Sequence, residues 1–411
     1  MSLKAVFKKI DPIYYLFLAY ALWMLSLKNR DTGGFDDFNV FYHAGKRLLN
    51  GENIYGEPHH YNLKYFYSVL FAAWMSSMQG IGIVAAKWVW FLLNFILLFR
   101  TLFILKSLIP EGTKGRLLIF FVLMLIMAKI ILINYVSNQI TIVILWTVLE
   151  AYVQLKKDKF ILAAAIICLG INIKILPVVV VPYMIYIAKD RWRFLFAGLS
   201  FLLVYTFLPA LLFGWSYNLM LLGEWAKTLN PVSDIHVMQT YEYGILDISS
   251  LITKFLSDEP VYLEPKLNFA SWSKDQLFLL TNALRVLCLT GAIYLALKVR
   301  KPIAGLSHHV VVLAAFMALA PLCFPHQREY SFLFYSPLWL VIMIINLSIR
   351  KWSAWLTFIV LVLFSGLLTW VDFVGRDIVD VFNFYRIITM GMFCMYVYFI
   401  YFISKNSKIG S

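Results

Sequence analysis

Uninterrupted apolar runs constrain the fold of this chain more than any other feature of its sequence. One of them, FAGLSFLLVYTFLPALLF (Phe196–Phe213), contains no charged residue. Runs of this length are typical of transmembrane helices, because about 20 apolar residues are needed to cross a bilayer as a helix. Only 14% of the 411 residues are charged, against about a quarter in soluble domains. We therefore predict an all-α polytopic membrane protein, folded as a single integral membrane domain over residues 1–411.

Basic residues predict the orientation of the spans. The formal net charge is +14, and Lys and Arg gather between the apolar runs, which is typical of cytoplasmic loops and gives no reason to expect nucleic acid. The clusters are Lys4/Lys8/Lys9, Lys106/Lys114/Arg116, Lys156/Lys157/Lys159, Lys189/Arg191/Arg193, Lys298/Arg300/Lys301, Arg350/Lys351 and Lys405/Lys408. If all are cytoplasmic, twelve spans result, with both termini in the cytoplasm. They are predicted near residues 13–28, 84–105, 117–134, 140–155, 160–173, 176–188, 194–213, 277–298, 308–324, 331–348, 354–370 and 386–403.

Two long external segments follow from this topology, over residues 29–83 and 214–276. The first contains YFYSVLFAAWMSSM (Tyr65–Met78), which as a span would reverse the side of every later cluster. We predict that it is an external interfacial or re-entrant helix. The second contains ISSLITKFL, predicted to be another interfacial helix. The first apolar run, Ile13–Leu27, has no small-residue cleavage site after it and is predicted to remain as an uncleaved span.

Two adjacent aspartates, Asp36 and Asp37, follow the first predicted span in GGFDDFNVFYHAGKRLLNGENIYGEP. The stretch FNVFYHAGKRLLNG has apolar residues at helical spacing and ends in Gly, which predicts an amphipathic helix that begins near Phe38. Loop aspartates are most often solvated or cap a helix. A helix N-terminus favours the ionised form, however, and an ionised carboxylate beside a membrane cavity is a candidate general base.

Lys174 stands in the apolar stretch CLGINIKILPVVVVPY, between two short predicted spans. Short or broken helices are tolerated where they line a cavity, so we expect a water-filled site near Lys174 and Asn138 in the outer leaflet. The lysine either extends to the lipid headgroups or supplies a point charge for a phosphate. Pro177 breaks the helix nearby, which suits a cavity wall.

Three other polar residues stand at predicted external junctions. His326 and Arg328 stand in PLCFPHQREYSF, where they either belong to an ordinary turn or have a functional role. In a functional role, they are a cation pair for a pyrophosphate or phosphate, or His326 orients a substrate hydroxyl. Gln139, in NYVSNQITIVIL, either binds a sugar or caps a helix. The sequence contains none of the common metal-protease, nucleotide-binding or serine-hydrolase motifs.

The order of these segments resembles a known enzyme family. DFNVFYHAGKRLLNGENIY is similar to the first external loop of the GT-C class of polyprenol-phosphate-sugar-dependent glycosyltransferases, above all to glycosyltransferase family 87, which includes an alpha-mannosyltransferase. The residues that match its pattern are Asp37, Val40, Phe41, Tyr42, Gly51 and Tyr55. SNQITIVIL, INIKILP and the His326 turn resemble later elements, with Asn138 where Gly is usual. The chain departs from the family at Ser68 or Val69, where a proline is usual, and in DISSLITKF, which replaces an Asn-Gln-Ser element.

This resemblance implies a GT-C fold of about 12 transmembrane helices and a membrane glycosyltransferase. The donor would be a hexose, mannose by resemblance, on a polyprenyl phosphate, and the acceptor a lipid or glycan. The displacement would be inverting, with Asp37 as the base that deprotonates the acceptor hydroxyl. The residues implied to bind substrate are Lys174, His326, Arg328, Gln139, Asp36 and Tyr42. We expect no metal or other cofactor, because a cationic cluster can stabilise a leaving monophosphate.

Two other functions fit the predicted topology. A lipid or solute transporter or flippase would place ionisable residues near the midplane and often shows paired repeats, and no repeat is visible here. A lipid-diphosphate-dependent oligosaccharide polymerase or ligase would rely on arginines in a large external loop, but residues 215–275 contain lysine and no arginine. We expect the chain in a bacterial inner membrane, among membrane lipids, with its active site on the periplasmic or extracellular face.

Overall fold

We analysed a computed structural model of the chain, which describes residues 36–55, 63–238, 244–258, 268–366 and 369–407, together with Tyr15, Leu18 and Leu22. The first predicted span, 13–28, lies outside the described residues apart from those three positions. Helices dominate, and within the described ranges the only β pairing is one isolated bridge between Ile303 and Leu306. The helices are α1 (Asp37–Leu49), α2 (Val69–Ser76), α3 (Gly82–Ser107), α4 (Arg116–Val136), α5 (Thr141–Lys156), α6 (Phe160–Ile173), α7 (Val181–Ile187), α8 (Arg191–Phe213), α9 (Trp215–Thr228), α10 (Asp234–Val237), α11 (Ile248–Leu256), α12 (Lys274–Lys298), α13 (His308–Cys323), α14 (Ser336–Ile349), α15 (Trp352–Phe364), α16 (Val371–Val374), α17 (Arg376–Phe384) and α18 (Ile387–Asn406).

The helical segments confirm an all-α membrane protein. Within the described residues, six are long and apolar enough to cross a membrane: Val69–Ser107, Arg116–Val136, Arg191–Phe213, Lys274–Lys298, Glu329–Ile349 and Ile387–Asn406. Four apolar helical segments are shorter: Phe160–Ile173, Leu176–Ile187, His308–Cys323 and Trp352–Phe364. Each predicted span after the first contains helix, but the lengths do not support a count of twelve crossings, which stays a prediction.

The core lies around α13 and α14, whose apolar side chains are almost all buried. By contrast, α8 and α12 bury few of their apolar side chains, which suits contact with lipid. Lipid supplies no hydrophobic drive between helices, so close packing of small residues matters more there. At Gly170 of α6 an added Cβ would overlap the Thr147 hydroxyl of α5, so these helices require glycine at their contact.

The first segment predicted to be external contains a pair of helices that pack closely together. The predicted helix near Phe38 is confirmed as α1, and its end is marked by Gly51 at φ 73°. The predicted helix over Tyr65–Met78 is shorter than expected, since α2 covers only Val69–Ser76. None of its eight residues is exposed, so α2 is covered on all sides by other parts of the protein. Its interfacial or re-entrant position in the membrane stays a prediction.

Gly45 explains why α1 and α2 lie so close together. A Cβ built on Gly45 would be 2.6 Å from the backbone carbon of Met75 and from the backbone nitrogen of Ser76. Aromatic rings fill the space beneath this contact, with the Phe41 and Phe71 ring centroids 5.0 Å apart. The helix that carries the two aspartates is thereby fixed against the segment that leads into α3.

The second segment predicted to be external also packs against the rest of the protein. The predicted helix ISSLITKFL is confirmed with the same bounds as α11, and Asp247 caps it by accepting from the Ser250 N–H at 2.9 Å. Its Ser, Thr and Lys side chains are buried along with its isoleucines, so both faces of α11 are covered by protein. The interfacial position predicted for it stays a prediction. The Thr253 hydroxyl donates to the Val237 carbonyl at 2.7 Å, which ties α11 to α10.

Two ion pairs between membrane helices were not predicted. Arg100 of α3 donates from Nε to Glu150 of α5 at 2.7 Å. Lys129 of α4 contacts Oε1 of Glu329 and the Thr369 hydroxyl, and it lies 3.4 Å from the Gly366 carbonyl. The Lys129–Glu329 pair anchors the turn that begins one residue after Arg328.

Candidate active site

A cavity of about 710 Å³ opens among the helix ends, and Asp37, Lys174, His326 and Arg328 all line it. Its walls come from α1, the segment before α2, the end of α6, the second external segment, α12 and the turn after α13. The apolar lining is extensive and includes Phe41, Phe66, Ile175, Trp225, Leu229, Met238 and Phe324. The structure thus brings together four residues that the sequence scatters over most of its length.

Asp36 does not face this cavity. Its carboxylate caps α1 by accepting from the Phe38 N–H at 3.0 Å, and both its oxygens accept from Nδ2 of Asn138 at 2.8 Å. Lys87 of α3 pairs with it at 2.8 Å. The helix-cap alternative is confirmed, and a solvated position is wrong, because Asp36 is only 7% exposed.

Asp37, the next residue, lines the cavity. Its Oδ2 accepts a hydrogen bond from Nε2 of Gln139, and its backbone N–H donates to the Ser137 carbonyl at 3.2 Å. Gln139 therefore neither caps α5 nor lines the cavity; it holds Asp37 instead. Asn138, which lies between Ser137 and Gln139, has φ 48°, a left-handed conformation that Gly and Asn tolerate best.

Burial raises the pKa of Asp37 above its ordinary value, although Gln139, Arg328 and Lys174 oppose the shift. We expected the helix N-terminus to favour the ionised form. Removal of the carboxylate from water acts in the opposite direction, and it outweighs the Gln139 hydrogen bond and the neighbouring cations. A carboxylate with a raised pKa is a stronger base when it is ionised, and therefore suits proton abstraction.

Lys174 also lines the cavity. α6 ends at Ile173, and Lys174 has extended backbone with φ −147°, before the 3-10 turn that contains Pro177. Its Nζ lies 5.5 Å from the centre of the Tyr67 ring. Burial lowers the pKa of Lys174 to about 8; Arg328 adds to this shift and Asp37 opposes it. The lysine thus belongs to the cavity rather than to the lipid headgroups.

His326 occupies a left-handed turn with φ 57° and packs its ring 4.6 Å from that of Phe66. Its Nε2 is 3.0 Å from Nδ1 of His236, a cavity residue from the second external segment that the sequence did not single out. The only sequence signal for His236 was its place in the polar stretch NPVSDIHVMQ. Burial lowers the pKa of both histidines, that of His326 well below its usual range.

Positive charge predominates around the cavity. Among the described residues that line it, Lys64, Lys174, Arg285 and Arg328 are cationic and Asp37 is the one acid. Such a charge balance suits an anionic ligand such as a phosphate. Within the described ranges, no group of three or more His, Cys, Asp or Glu side chains is placed to hold a metal ion.

Tyr42 lies elsewhere. It is nearly buried on α1, with its ring 6.1 Å from that of Phe38, and its carbonyl accepts from Nε2 of Gln79 at 2.8 Å. It is absent from the cavity lining, as are Asp36 and Gln139. Of the seven predicted site residues, four meet at the cavity, and Gln139 acts on it through Asp37.

Comparison with known proteins gives one finding. Residues 65–325 match the family described as glycosyltransferase family 87. This match covers more than half of the chain and ends one residue before His326. No curated protein matches the chain.

Proposed function

The chain belongs to glycosyltransferase family 87, and we propose that it transfers a hexose from a polyprenyl-phosphate donor to a lipid or glycan acceptor. One observation carries this proposal. A buried carboxylate, Asp37, shares a single cavity with the cations Lys174 and Arg328, beside an apolar wall. Base, phosphate-binding charge and a surface for lipid chains are the three components that such a reaction requires.

The donor is proposed from the chemistry of the lining. A polyprenyl-phosphate sugar contains one anionic phosphodiester, which joins the sugar to a long apolar chain. Lys174 and Arg328 supply positive charge in a site of low dielectric, where it acts more strongly than in water. Side chains such as Phe66, Ile175 and Phe324 offer the apolar contacts. Mannose is the sugar that the family resemblance favours.

The reaction is proposed as an inverting displacement. Asp37 takes the proton of the acceptor hydroxyl while that oxygen attacks the anomeric carbon. The bond from this carbon to the phosphate oxygen breaks, and the phosphate leaves with the electron pair. Lys174 and Arg328 stabilise the charge that develops on the phosphate, a contribution that is often the largest in catalysis.

The predicted topology is proposed as well. Asp37, Lys174, His236 and His326 come from four segments that the distribution of basic clusters assigns to the outer face. Their meeting in one cavity supports placing the four segments on the same side of the membrane, and the basic clusters favour the outer side. We propose a GT-C arrangement of about twelve spans in a bacterial inner membrane, with the active site periplasmic or extracellular and both termini cytoplasmic.

The proposal is tested by transfer of radiolabel. Purified protein in lipid nanodiscs is incubated with polyprenyl-phosphate [14C]mannose or [14C]glucose and a membrane lipid extract. We expect label to move into a new glycoconjugate with one donor, and Asp37→Asn to abolish transfer while donor binding persists. If wild-type protein transfers no sugar but moves the labelled lipid between leaflets of liposomes, a flippase replaces the transferase.

A further inference from the structure

A hydrogen bond joins the imidazole rings of His326 and His236. The distance from Nε2 of His326 to Nδ1 of His236 is 3.0 Å, and that from Nε2 of His236 to the Thr228 carbonyl oxygen is 2.9 Å. His236 is only 6% exposed. The two rings meet nearly edge to face, at 80° with centroids 4.9 Å apart.

The protons of this chain of hydrogen bonds can be assigned. A carbonyl oxygen can only accept, so Nε2 of His236 carries a proton and donates it to Thr228. A neutral imidazole has a single N–H, so Nδ1 of His236 is an acceptor. Nε2 of His326 must then be the donor, which leaves the lone pair of His326 on Nδ1.

The surroundings keep both rings neutral. Burial lowers the pKa of His326 well below its usual range, and the positive charges of Lys174, Arg328 and Lys64 add to this effect. Burial also lowers the pKa of His236; Asp247 opposes the shift, and Arg285 reinforces it. Each ring therefore has one proton at neutral pH, as the hydrogen-bond chain requires.

We propose that His236 is a positioning residue, which holds His326 in the neutral Nε2–H tautomer and fixes the plane of its ring in the cavity. His326 then meets the sugar substrates as a neutral ring with an acceptor nitrogen, Nδ1, and does not serve as a cation for the phosphate. This role rests on the proposed transferase function. It assigns phosphate binding to Lys174 and Arg328 and the orientation of a hydroxyl to the histidine pair.

Two substitutions of similar size test the assignment. In His236→Asn, the amide oxygen can take the place of Nδ1 and accept from His326. In His236→Gln, the longer amide reaches the place of Nε2 and keeps only the contact with Thr228. We expect Gln to lower kcat by about 100-fold, as a misplaced group can, with the donor KM within about twofold. The His236→Asn variant should retain a kcat within about threefold of the wild-type value.

A spectroscopic readout tests the same point without activity. The chain has seven histidines, and 15N-histidine labelling with a His326→Gln reference identifies the His326 signals. We expect a neutral ring protonated at Nε2 in wild type and in His236→Asn, and a mixture of tautomers in His236→Gln. A charged ring, or a proton on Nδ1 at neutral pH, would overturn the proposal.

Equal loss of kcat in the Asn and Gln variants, or no loss in either, would overturn the positioning role as well. If wild-type protein transfers no sugar to any acceptor, the transferase proposal fails. The 15N spectra then still decide whether His236 sets the tautomer of His326.

Discussion

Gln139 donates a hydrogen bond from Nε2 to Oδ2 of Asp37, across 102 positions of sequence. Its neighbour Asn138 donates to both oxygens of Asp36. Two consecutive residues of one turn thus hold two consecutive carboxylates, and only one of the carboxylates faces the cavity. The turn after α4 therefore sets both the position and the basicity of the proposed base.

Exchange of the two aspartates for asparagine separates their roles. Asp37→Asn removes the proposed base and should lower kcat by about 10²- to 10⁴-fold, the usual contribution of general base catalysis. Asp36→Asn is the matched control, because Asn still caps a helix well and this side chain lies outside the cavity. It should keep most of the activity per folded molecule. Sugar transfer with single donors, corrected for the folded fraction, measures both; an equal loss in the two variants would contradict the assignment.

Loss of the Gln139 hydrogen bond should move the acidic limb of the pH profile. The bond favours the carboxylate form and so lowers the pKa of Asp37. Gln139→Leu should raise that pKa further, and the rise of kcat/KM with increasing pH should begin at higher pH than in wild type. Asn138→Gly keeps the left-handed turn and should leave the limb unmoved. An acidic limb at the same pH in the Leu variant would show that another group titrates.

The fall of kcat/KM at alkaline pH should come from deprotonation of Lys174. Its pKa is lowered to about 8, so its positive charge is lost as the pH rises through that value, and kcat/KM should fall there. Lys174→Arg keeps the charge to far higher pH, because a guanidinium does not deprotonate in proteins. The Arg variant should have a flat profile above pH about 8, even if its maximum rate is lower. Retention of the limb in Lys174→Arg would assign it elsewhere.

Gly45→Ala should loosen α1 from α2. The new Cβ would lie 2.6 Å from the backbone of Met75 and Ser76, so the helices must separate. Overpacking of this kind costs about 1–3 kcal/mol, and activity should fall with it because α1 carries Asp37. Gly80→Ala is the control, since nothing lies within 4 Å of its Cβ. Thermal unfolding in detergent compares them, and equal midpoints would argue against the close contact.

The buried pair of Lys129 and Glu329 should show strong coupling. Lys129→Met leaves the Glu329 carboxyl without its cation inside the protein, which costs about 3–5 kcal/mol when a buried pair is broken. The double variant Lys129→Met/Glu329→Leu removes both charges and should recover most of that loss. A double-mutant cycle of unfolding free energies gives the coupling. Additive losses would mean that the two groups do not act as a pair.

The sequence was sufficient wherever local chemistry decides structure. The apolar runs predicted the membrane helices, and the spacing in FNVFYHAGKRLLNG and ISSLITKFL predicted α1 and α11. It failed on burial, because spacing shows that a helix has an apolar face but not what covers the other face. Thus the sequence predicted that α2 and α11 are helices, but not that protein covers both faces of each.

In the site too, the sequence predicted what depends on local chemistry and missed what depends on distant partners. Asp37, Lys174, His326 and Arg328 were predicted because polar groups are rare in so apolar a chain. His236 and the Lys129–Glu329 pair were missed, since their meaning comes from partners 90 and 200 positions away. The direction of the Asp37 pKa shift could not be predicted from the sequence, because desolvation depends on the packed structure and not on the residues adjacent in the chain.

The cationic lining of the cavity bears on what happens after transfer. The proposed donor is a phosphodiester with one negative charge, whereas the carrier that remains is a monoester with about −1.5 to −2 at pH 7. Lys64, Lys174 and Arg328 must therefore attract the spent carrier more strongly than the loaded one. Departure of the carrier, rather than bond formation, would then limit turnover. The spent carrier would then compete with the loaded donor for the same cavity, so accumulation of polyprenyl phosphate would slow transfer.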